Sequence, residues 1–151
     1  HSYGALIAQA LGGAEVGVQG STNRTWTDPR VTRVVAFSPP GPFGNLFTAE
    51  GWSKMTVPQF VVTGTADVVQ MLAPKWEAHM VSFDAAKVPG SALWVGRGVD
   101  HYFGHKVQRL TREAPDQSSG FALALDLSDA FLEGRPLKAK PDAVTERLTI
   151  K

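Results

Sequence analysis

Cysteine is absent from the 151 residues. Disulfide bridges and thiol chemistry are thereby excluded, although the absence assigns no compartment. Charge is scarce and balanced: Asp, Glu, Lys and Arg make up 19 % of the chain, and the net charge is +1. No basic block occurs, so the composition offers no case for a nucleic-acid partner. No uninterrupted apolar run approaches the length of a membrane-spanning helix, and no leader peptide is visible. A soluble protein without a membrane span is expected, cytoplasmic or secreted, with any targeting segment upstream. Internal repeats and low-complexity tracts are missing as well. What is present is 43 % apolar residues, enough for one globular domain with its own core. Asn23-Arg24-Thr25 has the form of a glycosylation acceptor, but so short a triplet recurs by chance.

Tyr3 to Leu11 is compact, apolar and free of proline, and Gly12-Gly13 follows as a natural C-cap pair. The pattern predicts a helix, buried because it is apolar nearly all round. Gly17 to Arg30 is rich in Gly, Ser, Thr and Asn and reads as loop. Gly13, Gly17 and Gly20 lack the spacing of a dinucleotide fingerprint. Val31 to Phe37 reads as a β-branched strand that ends at Ser38-Pro39-Pro40-Gly41-Pro42. The irregular stretch from Phe43 to Thr56 carries Phe43, Leu46, Phe47, Trp52 and Met55, too apolar for a solvated loop. Either it lines or covers a pocket or it shields the sheet edge.

Gln59 to Gly64 predicts a second, buried strand, with Thr65-Ala66-Asp67 at its C-terminal end. Pro74 opens a helix to about Phe83, with Trp76, Met80 and Phe83 on one side. His79 in this helix reads as a surface or packing residue. Ser91 to Val95 predicts a third strand, and Gly96 to His101 the loop beyond it. Ser118 to Leu132 predicts the last strong helix, with Phe121, Leu125 and Leu132 on one stripe and Leu123, Leu127, Ala130 and Phe131 on the next. The tail from Arg135 to Lys151, with Pro136 and Pro141, is polar apart from a short extended piece near Leu148. Helices and strands alternate, which signals the α/β class: a parallel sheet with flanking helices.

In open parallel sheets, reactive groups gather beyond the C-terminal ends of strands. Ser2-Tyr3-Gly4 at the mouth of the first helix matches the right-hand part of a Gly-x-Ser-x-Gly nucleophile elbow. There the backbone turns so tightly that small neighbours are needed, and the helix N-terminus supplies free N–H groups where an oxyanion forms. A frayed terminus that happens to contain a serine is the plain alternative. Asp67 and His101 occupy the ends of the second and third strands. The chain order Ser, Asp, His is that of the α/β-hydrolase triad and differs from the other two common serine-hydrolase orders. His101 and His105 are four residues apart, but Gly104 between them and the lack of a third ligand at suitable spacing argue against a metal site.

His1-Ser2-Tyr3-Gly4, Ala36-Phe37-Ser38-Pro39-Pro40-Gly41-Pro42, Val61-Val62-Thr63-Gly64-Thr65-Ala66-Asp67 and Asp100-His101-Tyr102-Phe103-Gly104 together resemble the C-terminal half of an α/β-hydrolase. The nearest likeness is to dienelactone-hydrolase-like and platelet-activating-factor-acetylhydrolase-like serine esterases, over residues 1 to about 133. The resemblance implies Ser2 as nucleophile, His101 as base and Asp67 as its orienting acid. It further implies the Tyr3 N–H as one oxyanion donor, no cofactor and a small-molecule ester as substrate. His1, Phe43, Phe47 and Trp52 are the expected substrate-binding residues.

The departure from that family is positional. The strands before the elbow and the loop giving the second oxyanion donor are not in the sequence. Residues 1–151 are therefore expected to be a partial domain that starts at the elbow, with the missing N-terminal part on the same or a separate chain. A non-catalytic binding protein of the same fold, or an acyltransferase or thioesterase with the same triad, remain the alternative readings.

Overall fold

The computed structural model describes residues 1–17, 23–108, 113–138 and 143–151. Gly20 and part of the loop read around it, like Pro141 in the tail, lie outside these residues. Eleven elements follow one another among those described: α1 (Tyr3–Leu11), β1 (Glu15–Val16), β2 (Arg24–Thr25), β3 (Val34–Phe37), α2 (Ala49–Trp52), β4 (Gln59–Ala66), a 3₁₀ turn (Trp76–Met80), α3 (Val81–Ala85), β5 (Ala92–Asp100), α4 (Ser118–Leu132) and β6 (Thr145–Ile150). The main sheet has the order β3-β4-β5-β6. Its first three strands are parallel, and β6 joins β5 antiparallel. The architecture is mixed α/β, with a mostly parallel sheet between two helical layers.

Strand side chains alternate between faces, and both faces are covered here. Val61, Leu93 and Val95 turn toward one core with Leu6 and Ala10 of α1, Trp52 of α2 and Phe83 of α3. Phe60, Val62 and Trp94 turn toward the other, with Phe103 and with Ala124, Leu127 and Phe131 of α4. Double coverage is why β4 and the first half of β5 read as unbroken buried runs rather than as alternating ones.

Several expected boundaries move. The stretch read as loop contributes β2, which pairs antiparallel with β1 just before it. β3 starts at Val34 rather than Val31. The helix expected from Pro74 is instead the 3₁₀ turn followed by the short α3. β5 runs through Gly96-Arg97-Gly98 to Asp100, where a loop was expected. Gly96 is there for close packing: a Cβ on it would lie 2.5 Å from both the Trp94 ring and Val99.

The tail pairs Ala92 with Ile150 and Trp94 with Leu148, so the third predicted strand gains a second neighbour. α1 is buried along Ala5, Leu6, Gln9 and Ala10 only; Tyr3, Ile7 and Leu11 form an exposed stripe. On α4 the second of the two expected stripes is the buried one, through Leu127, Ala130 and Phe131. Leu125 and Leu132 are exposed, while Gly120, Ala124, Leu127, Ser128 and Phe131 face the sheet. Small residues win that face because the helix lies close: a Cβ on Gly120 would sit 3.0 Å from Val99.

Gly64 holds the exit of β4. A Cβ there would lie 2.2 Å from the Val99 carbonyl oxygen and 2.4 Å from Val99 Cβ, next to a register shift between Gly64 and Ala66. The colliding atoms are backbone, which does not yield easily. Gly64→Ala is expected to destabilise the fold by about 2–3 kcal/mol, the upper part of the range for overpacking. Urea unfolding measures it; a change below half a kilocalorie would mean the strands separate there more readily than the packing implies.

Candidate active site

Three strand ends and one helix start converge. Ser2 precedes α1 with φ 53° and ψ −127°, a left-handed conformation that a residue with a Cβ adopts only under restraint. The restraint is visible. The Ser2 N–H donates to the Phe37 carbonyl at the end of β3 (2.9 Å), and the next N–H groups fold back, Gly4 to His1 O and Ala5 to Ser2 O. Gly4 has open space around it. The Ser2 hydroxyl makes no capping bond to its own helix. It points instead to His101, with Oγ 3.1 Å from Nε2. The Tyr3 N–H, first in the helix, has no intrahelical acceptor and no backbone acceptor among the described residues.

His101 follows the end of β5 and is almost fully buried. Its loop is tied down from below: Asp100 Oδ1 accepts the N–H groups of Tyr102 (2.9 Å) and Gly104 (3.1 Å), and Gln117 clamps Asp100 N and Gly98 O. Asp100 is thus occupied by the turn. The imidazole Nδ1–H donates to Asp67 Oδ1 at 2.7 Å. Asp67 is fully buried, and its other oxygen accepts the Thr63 hydroxyl at 2.8 Å. Ser2, His101 and Asp67 form one hydrogen-bonded line. His105 sits in the same turn as His101 rather than on a helix.

One member of the cluster was not anticipated. His79, read from sequence as a surface or packing residue, is buried with no exposed side chain. Its Nδ1 lies 2.7 Å from the Pro39 carbonyl oxygen and its Nε2 3.0 Å from Asp67 Oδ1. Nε2 makes no hydrogen bond of good geometry, so its nearness to Asp67 acts chiefly through charge. Asp67, His79 and His101 bring one oxygen and two nitrogens within 4.8 Å of one another, a spacing that also suits a small cation. The donor chemistry argues against that reading. His101 Nδ1 has its proton aimed at Asp67, so the lone pair a metal needs is not offered there.

Burial alone would raise the Asp67 carboxyl; the hydrogen bond from His101 and the neighbourhood of His79 outweigh it and hold the group well below the usual carboxylate range. For His79, burial works to lower the pKa, but Asp67 and the Pro39 carbonyl together raise it above 6.5. The two shifts act on opposite sides of the pH scale. Stability owed to Asp67 is complete above its ordinary 3.8 and is lost as pH falls toward the folded value. Stability owed to His79 is complete below 6.5 and is lost as pH rises through its elevated folded value. The urea midpoint is therefore expected to be highest between these limits, and His79→Gln should flatten the alkaline decline. An unchanged decline in that variant would contradict the assignment.

The expected substrate-binding residues are scattered. The His1 ring lies against His101, centroids 4.8 Å apart, and its Nε2 is 2.7 Å from the His101 carbonyl oxygen. Phe43 is exposed, while Phe47 is buried and stacks on Trp52. Trp52 is a core residue and not a pocket residue. It has no exposed surface, and its Nε1–H donates to Gln9 in a buried chain of bonds that continues through Gln59 to the Ser82 carbonyl. Phe47 and Leu46 instead share an apolar cleft of about 260 Å³ with Tyr3, Ile7, Leu11 and Trp26. No helix among the described residues is long and apolar enough to cross a membrane. In comparisons with known proteins, no family model and no curated protein matches the chain.

Proposed function

We propose that this protein is a serine hydrolase of the α/β-hydrolase type, which cleaves carboxylic esters through an acyl-enzyme intermediate. The observation that carries the reading is the continuous line from Ser2 Oγ through the His101 ring to Asp67. The left-handed turn at Ser2 supports it, because a strained strand-to-helix corner is where a nucleophile elbow carries its serine.

In this reading the Ser2 hydroxyl attacks the ester carbonyl while His101 Nε2 takes its proton. Asp67 fixes the imidazole with its proton on Nδ1 and stabilises the imidazolium that forms. The Tyr3 N–H receives the developing oxyanion, an interaction typically worth roughly 2.7–4 kcal/mol in the transition state. His101 then returns the proton to the departing alcohol. Water repeats the sequence in reverse to free Ser2. The apolar cleft beside Tyr3 offers a place for the hydrocarbon part of the ester. A non-catalytic role would leave the buried carboxylate and the strained serine without a use.

The acyl-enzyme is the testable species. With a short-chain nitrophenyl ester in stopped flow, nitrophenol should appear in a burst equal to the enzyme concentration and then in a slower steady release. Release no faster than in buffer, or unaffected by removing the Ser2 hydroxyl, would overturn the proposal.

A further inference from the structure

The triad accounts for Ser2, His101 and Asp67 but leaves His79 without a part. This histidine sits in the 3₁₀ turn and meets the same Asp67 oxygen as His101, and its side chain is wholly inaccessible. Both its nitrogens face oxygen. Pro39 O is a carbonyl and can only accept, so Nδ1 must carry a proton to make the 2.7 Å contact. Nε2 then faces Asp67 Oδ1 at 3.0 Å. Were it unprotonated, an electron-rich nitrogen would lie 3.0 Å from a buried carboxylate oxygen, an arrangement that costs free energy and brings nothing. Protonated, it makes a buried ion pair.

We infer that His79 is a positioning residue held as an imidazolium, which pins the Asp67 carboxylate and offsets its charge, so that His79 sets the pH at which His101 can act as a base. The kinetic part of this rests on the serine-hydrolase reading; the charge state of His79 does not. Among the described residues, the titratable groups facing the pair are Asp67 itself and His101, whose ring centroid is 5.8 Å from that of His79. Beyond His101 lie the rings of His1 and Tyr102, at 4.8 and 5.0 Å from it. Glu77 on the same turn is exposed. Two effects have the same sign. A cation at His79 repels a second cation forming on His101, and it draws down the negative potential that Asp67 presents to that ring. Taking the cation away should make His101 hold its proton more firmly, so that the neutral base appears only at higher pH.

Two measurements test this. Nitrogen-resolved NMR of the wild-type protein should find both ring nitrogens of His79 protonated at pH 7; a single proton would overturn the inference outright. For His79→Gln, which keeps a donor but not the charge, the acid limb of kcat/KM for a nitrophenyl ester should move up by about one pH unit. An acid limb that stays in place, with kcat changed or not, would show that His79 only packs. If His79→Gln does not fold, the NMR measurement decides alone. If the wild-type protein shows the imidazolium but no Ser2-dependent turnover, the hydrolase reading falls and the charged His79 stands.

Discussion

Asp67→Asn should lower kcat/KM for ester hydrolysis by about 10⁴-fold, with KM little changed. The carboxylate serves three neighbours at once: the His101 Nδ1–H, the Thr63 hydroxyl and the His79 ring. An amide has one oxygen to offer. If its NH₂ group turns toward His101, it forces the ring proton onto Nε2, the nitrogen that must accept from Ser2. If it turns toward Thr63, that hydroxyl can rotate to accept, but two histidines now face a neutral oxygen. In either orientation the buried negative charge is gone, and an imidazolium on His101 loses its partner. Asp67 has no exposed surface, so the loss is little screened. Steady-state kinetics across pH would show it. A reduction of less than tenfold would mean that Asp67 does not act through His101.

Ser2 gives the second large effect, and two variants divide it. Ser2→Ala should lower kcat by about 10⁶-fold, as expected when the nucleophile of a triad is removed, and should leave the thermal midpoint where it is. Alanine keeps the same backbone burden at φ 53°. Ser2→Gly should be equally inactive yet more stable by about 1 kcal/mol, since glycine meets no Cβ penalty there and strained positions typically cost roughly 1–3 kcal/mol. The pairing separates chemistry from strain. Equal midpoints for the two variants would show that the turn at Ser2 is relaxed, and that its geometry comes from the chain's path rather than from the site.

Much of this site is local in sequence, which is why it could be read there. Ser2-x-Gly, Thr65-Ala66-Asp67 after an apolar run and His101 after another each mark the end of an element, and element ends are where a parallel sheet gathers its chemistry. His79 carries no such mark. Its meaning depends on a 3₁₀ turn that brings it against Asp67 and a proline carbonyl forty residues away. Trp52 failed for a related reason. Hydrophobicity cannot tell a pocket wall from a core, and the deciding feature is its bond to Gln9. The glycines of β5 misled in another way: they read as a break, but Gly96 is the space that Trp94 and Val99 need. On α4, hydrophobicity marked two neighbouring stripes, and it is closeness of approach that puts Leu127, Ala130 and Phe131 against the sheet together with the small Gly120 and Ala124. β6 was visible only as a short extended piece near Leu148, because a polar strand that caps an edge has little to distinguish it from tail.

In the proposed reading, Ser2 is a nucleophile activated by His101. The most direct measurement is intact-mass and peptide mass spectrometry after treatment with a fluorophosphonate, a reagent that captures activated serines. One adduct per chain is expected, on the peptide containing Ser2, with its rate falling as the pH drops below the working range of His101 and with none formed in His101→Ala. No adduct at millimolar reagent, or an adduct on another serine with Ser2 unmodified, would contradict the account.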